Sequence, residues 1–141
     1  MPAPTSPLEG SEWALLREQV ATIQALVTRR YGAPPFDQST ADLEPLQRLL
    51  DDGAFEPDQE DSLRALGAAF GNVVAKQLSF EWVAADDGRD RREPSLRLKP
   101  TGALVIHPQR TIVDRVQAGA SVNLTHLLDD IRAQAKKTKL I

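Results

Sequence analysis

Residues 66–90 read LGAAFGNVVAKQLSFEWVAADDGRD, and within them the spacing of apolar residues changes from helical to extended. Leu63, Leu66, Phe70, Val73, Val74 and Leu78 gather on one face of an α-helix. After Leu78, Phe80, Trp82 and Val83 form a run of high strand propensity, and Asp87 with Gly88 marks a turn. The stretch therefore predicts a helix that passes directly into a sheet. Gly67 and Gly71 lie on that helix, where each costs roughly 1 kcal/mol relative to alanine. Their position predicts that another helix or the sheet packs closer there than a side chain would permit.

Downstream, residues 96–131 read LRLKPTGALVIHPQRTIVDRVQAGASVNLTHLLDDI. Leu96 and Leu98 alternate with Arg97 and Lys99, the period of a half-buried strand. A tight turn over 100–102 and a short apolar strand over 103–106 complete a three-stranded antiparallel meander. Pro108 then opens a helix carrying Ile112, Val113 and Val116, which Gly119 ends. Asn123 caps a last helix that buries Leu124, Leu127, Leu128, Ile131 and Ala135. Residues 136–141 are expected to be a loose basic tail.

Upstream, Ser11 is the expected cap of a first helix with Trp13, Leu16, Val20, Ile23 and Val27 on its apolar face. Gly32, Pro34 and Pro35 stop it after Tyr31. Thr40 is placed at the cap of a second helix, which buries Leu43, Leu46, Leu49 and Leu50 and ends at Gly53. A third starts near Pro57, where Asp58, Glu60 and Asp61 complement the helix dipole. Residues 1–10 are expected to be a flexible tail. The fold class is α+β, with N-terminal helices on a three-stranded antiparallel sheet closed by C-terminal helices, in one domain over 11–135.

Composition narrows the function. The chain has 141 residues, 41% of them hydrophobic, enough for one modest core. It holds no cysteine, which excludes disulfides and thiolate chemistry. A net charge of −3 argues against nucleic acid as a partner. The N-terminus lacks a secretory pattern and no apolar run is long enough to span a bilayer, so the expected location is the cytoplasm. His107 and His126 stand 19 positions apart, outside any metal-ligand spacing. No serine sits in a nucleophile motif, and LGAAFG lies inside a helix where it cannot cradle phosphate. No catalytic, cofactor or metal residue is assigned, and the chain is not expected to be an enzyme.

The carboxylates are unevenly placed. Residues 37–61 carry nine acids against Arg48, a local balance of −8 that leaves +5 for the rest of the chain. Such a field steers a basic partner. Asp51, Asp52, Glu56, Asp58, Glu60 and Asp61 are the candidate binding residues within it. A mixed cluster, DDGRDRRE over 86–93, reads as a hairpin tip whose Arg89, Arg91 or Arg92 could offer a bidentate contact.

The segments LGAAFGNVVAKQLSFEW (66–82), GRD (88–90) and HPQRTIVDRVQAGASVNLTHLLDDI (107–131) resemble a small bacterial domain family of unknown function, the 3806 family. The matching positions are Leu66, Gly67, Gly71, Trp82, Pro108, Ile112, Arg115 and Val116. The resemblance, over roughly residues 66–131, implies a scaffold and carries no established activity. It singles out Arg115, which could pair with Asp90 or Asp114 or hold an anionic group.

Small size, low pI and the acidic segment point to a non-catalytic protein-binding domain, an immunity protein that neutralises a toxin or a secretion-associated chaperone. The alternative is a small-molecule sensor or unfamiliar enzyme using Arg97, Arg115 and an acid near the sheet. A third reading is a homodimer built through the helix that carries Gly67 and Gly71.

Overall fold

The computed structural model describes residues 4–86, 91–100 and 102–139. The predicted turn at Asp87 and Gly88, and Arg89 and Asp90 with it, lie outside the described residues. The order of elements is β1 (Thr5–Ser6), α1 (Gly10–Tyr31), α2 (Leu43–Asp51), α3 (Glu60–Leu78), β2 (Phe80–Asp86), β3 (Arg92–Leu98), β4 (Val105–Ile106), α4 (Pro108–Gln117) and α5 (Leu124–Lys139). The class is α+β, and the antiparallel sheet has four strands in the order β1-β2-β3-β4 rather than three.

The extra strand corrects the reading of residues 1–10 as a flexible tail. Thr5 and Ser6 pair with Ala85 and Ala84 of β2. Side-chain contacts hold them there, among them a bond from Arg97 to Thr5 Oγ1 at 2.8 Å. Leu8 is buried in a small cluster with Leu16, Ala68 and Ala84, and the Arg92 guanidinium donates to Ser6 Oγ at 2.7 Å and to the Pro7 carbonyl at 2.9 Å. The first helix consequently starts two residues earlier than Ser11 implied. Glu9 is its cap, in a reciprocal capping box with Glu12.

Helix α3 is the axis of the molecule. Ten of its 19 residues are buried, including Leu66, Phe70, Val73 and Val74. They form the main core with Ile23 and Val27 of α1, Leu46 and Leu49 of α2, Leu96 and Leu98 of β3, and Leu128 and Ile131 of α5. Each such side chain removed from water contributes roughly 1.5–3 kcal/mol. The two glycines of α3 set how closely its neighbours approach. A β-carbon at Gly67 would lie 2.7 Å from the Gln109 Cα of α4, and one at Gly71 would lie 2.5 Å from the Trp82 ring of β2. Both faces are therefore occupied within the fold, so the homodimer route through Gly67 and Gly71 is closed.

Other boundaries moved by a few residues. Ser39 rather than Thr40 does the capping, accepting from the Ala41 amide at the head of a 3-10 turn (Thr40–Asp42) that leads into α2. Helix α3 begins at Glu60, leaving Asp58 in the preceding turn. Strand β3 extends back to Arg92, and β4 is limited to Val105 and Ile106. The Asn123 side chain accepts from the His126 amide as its cap position predicts. Helix α5 runs on to Lys139, so 136–139 is helical and not a loose tail. No helix among the described residues is long and apolar enough to cross a membrane.

Candidate functional site

The acidic segment divides into carboxylates bound into the fold and carboxylates left open. Asp42 is buried and accepts the Gln38 amide at 2.8 Å and the Asp37 amide at 3.3 Å, closing the connector onto α2. Asp52 accepts the Tyr31 hydroxyl at 2.6 Å, Asp51 accepts the Gln47 amide at 2.9 Å, and Glu60 pairs with Arg64 at 3.0 Å. These bonds have electrostatic consequences. The Arg64 guanidinium holds Glu60 below the usual carboxylate range, while burial and the bond to Asp52 push the Tyr31 hydroxyl up.

Glu56, Asp58 and Asp61 are exposed and have no side-chain partner among the described residues. They lie within six positions on the turn between α2 and α3 and on the first turn of α3. The turn is anchored by Gln117 of α4, which donates to the Pro57 carbonyl at 3.2 Å. Of the six candidate acids, the structure thus leaves three available and gives Asp51, Asp52 and Glu60 partners within the fold. Arg115 is exposed in the last turn of α4 and does not pair with Asp114, while Asp90 lies outside the described residues. Arg89 lies outside the described residues.

Neither Arg97 nor Arg115 lines any of the main pockets among the described residues. Arg97 is spent on Thr5 Oγ1 at 2.8 Å and Glu81 at 3.3 Å, within the sheet. The chain does build a second charged cluster, which pattern reading missed. Glu93, at the start of β3, is 6% exposed and lies 3.3 Å from His107 Nδ1, 3.5 Å from Arg110 and 3.5 Å from Arg64. Burial alone would raise its pKa. His107 beside it, Arg110 and Arg64 outweigh that and hold the carboxyl below the usual glutamate range.

Ser95 completes this cluster. Its hydroxyl lies 3.3 Å from the Glu93 carbonyl and 2.8 Å from His107 Nδ1, a bond in which the histidine tautomer sets which group donates. A serine activated for attack needs a histidine nitrogen free to accept its proton, and it needs access to substrate. Ser95 is fully buried, without that access. The arrangement fastens β3 to α4, and Arg64 extends it to α3. Among the described residues no group of three or more His, Asp or Glu is arranged to hold a metal ion.

A family model described as Domain of unknown function (DUF3806) matches residues 42–127. The match takes in α2 and the acidic turn, ahead of Leu66 where the resemblance began. A solved structure from Bacteroides thetaiotaomicron VPI-5482 is similar to this chain with a TM-score of 0.80 and 24% identity, over 93% of this chain and 47% of that one. This chain spans about half the length of that protein, and the likeness is one of fold. No curated protein matches the chain.

Proposed function

We propose that this chain, which belongs to the Domain of unknown function (DUF3806) family, is a non-catalytic protein-binding domain that engages a basic partner through the turn between α2 and α3. The observation that carries the reading is the division among the acids. Asp42, Asp51, Asp52 and Glu60 are bonded within the fold, whereas Glu56, Asp58 and Asp61 face solvent on an anchored backbone. A fixed array of unpaired carboxylates loses little conformational entropy on binding and raises the encounter rate with a cation-rich surface. An immunity protein and a secretion-associated chaperone are the two roles this chemistry fits, and both place it in the cytoplasm.

The test is a triple substitution, Glu56→Lys, Asp58→Lys and Asp61→Lys, followed by cross-linking in a bacterial lysate and mass spectrometry. The variant should lose a basic partner that the parent retains, with an unchanged circular dichroism spectrum. Retention of the same partner by the variant would overturn the reading. Asp51 and Asp52 are left intact because their bonds to Gln47 and Tyr31 would confound the result.

A further inference from the structure

Helix α1 carries a second stripe besides the one it buries. Leu15, Glu18, Thr22, Ala25 and Arg29 follow one another at alternating steps of three and four, and all five are exposed. Leu15 is 52% exposed, one of the two large apolar side chains left in water among the described residues. The stripe borders an open groove of about 760 Å³ between α1 and α3, with Ile23, Leu26, Ala65 and Phe55 among its lining residues.

The groove has a direction. Leu16 shares a cluster with Ala68, Gln19 and Arg64 are bridged by the Gln109 amide, and Phe55 precedes α3. Helix α3 therefore runs antiparallel to α1, with Leu15 at one end of the groove and Phe55 near the Arg29 end. The charges are disposed in the same sense. Glu18 and Arg29 flank the stripe about 16 Å apart along the helix, and neither has a side-chain partner among the described residues.

We propose that this face is the two-fold interface of a homodimer, in which α1 packs antiparallel to α1 of a second copy. A two-fold interface must be complementary to itself, and this stripe is. Setting Glu18 of one copy against Arg29 of the other also sets Arg29 against Glu18. The same register places Thr22 opposite Ala25, two small side chains that let the helix axes approach. It carries Leu15 of each copy past the Arg29 of the other, to the Phe55 end of the groove. A helix of another protein would need only an apolar face there. The opposed charges at symmetric distances from the stripe's centre are what favour a second copy of this chain.

The test uses the full chain and reads dimer dissociation by sedimentation. Glu18→Arg and Arg29→Glu should each weaken the dimer by about tenfold or more, because each replaces two attractive pairs with two repulsive ones. Combining them restores both pairs in swapped order, and the double variant should return to within about threefold of the parent. Leu15→Glu should give monomer. All three positions of substitution are at the surface, and circular dichroism checks that the fold is kept. A parent chain that is monomeric at about 100 μM overturns the proposal, as does a double variant no tighter than either single one. Asp61 lines the same groove whereas Glu56 and Asp58 do not, so loss of the dimer in Glu18→Arg with capture of a basic partner retained separates this proposal from the acidic surface.

Discussion

Gly71 and Trp82 are in such close contact that a β-carbon on the glycine would meet ring atoms Cζ2 and Cη2 at 2.5 and 2.6 Å. The ring has little room to give way, because its indole N–H donates to Asn72 Oδ1 at 2.9 Å. Gly71→Ala should therefore destabilise the chain by about 1–3 kcal/mol, although alanine is the better helix former. The check is chemical denaturation of Gly71→Ala with and without Trp82→Phe. The smaller ring vacates the clashing atoms, so the two costs should be less than additive. Strict additivity would mean that the clash is relieved elsewhere.

Glu93 predicts the acid limit of the fold. Its carboxyl titrates below the usual range when folded, so its contribution is complete above the unfolded value and is lost as pH falls through the folded one. Stability of the parent chain should fall as pH drops below about 4.3, and Glu93→Gln should flatten that dependence. At neutral pH the same substitution leaves Arg64 and Arg110, 18% and 15% exposed, facing a neutral amide. A loss of about 2–4 kcal/mol is expected there, measured by urea unfolding at several pH values. An unchanged slope in the variant would show that other carboxylates govern acid unfolding.

Much of this architecture was readable because it depends on local spacing. The change of period at Leu78, proline and glycine at the ends of α4, and Asn123 before α5 each report on a few neighbouring residues. What escaped depends on partners far away in the chain. Glu93 looked like part of a solvated hairpin tip, since nothing within DDGRDRRE reveals that Arg64 lies 29 positions earlier and ready to neutralise it. Thr5 and Ser6 looked like a frayed tail for the same reason, their anchor Arg92 being 86 positions from Ser6. The acidic segment was visible by counting alone, but only the hydrogen bonds of Asp42, Asp51 and Asp52 separate structural from available carboxylates.

Arg92 should control whether β1 stays on the sheet. Its guanidinium reaches Ser6, the Pro7 carbonyl and both oxygens of Glu12, and its bond to Glu12 in turn holds that carboxyl below its usual pKa. Arg92→Ala removes all of these while leaving the buried Leu8 contact in place. Amide hydrogen exchange should then accelerate at Thr5 and Ser6 and across the paired Ala84 and Ala85, with the amides of α3 unaffected. Equal exchange at Thr5 and Ser6 in both proteins would show that Leu8 and the Arg97 bond to Thr5 suffice.

Asp42 should prove a structural acid despite its place in the acidic segment. It accepts the amides of Asp37 and Gln38, and Gln38 is held at a φ of 63°, a left-handed conformation uncommon for a side chain other than glycine. Asp42→Ala removes the acceptor that stabilises this turn and leaves a backbone donor without its partner. The expected cost is about 1–2 kcal/mol in thermal or urea unfolding. Gln38→Gly relieves the backbone strain and should recover part of that loss in the double variant. Because Asp42 is 7% exposed, neither substitution should alter binding of a basic partner to Glu56, Asp58 and Asp61. A drop in partner binding without a drop in stability would instead place Asp42 within the binding surface.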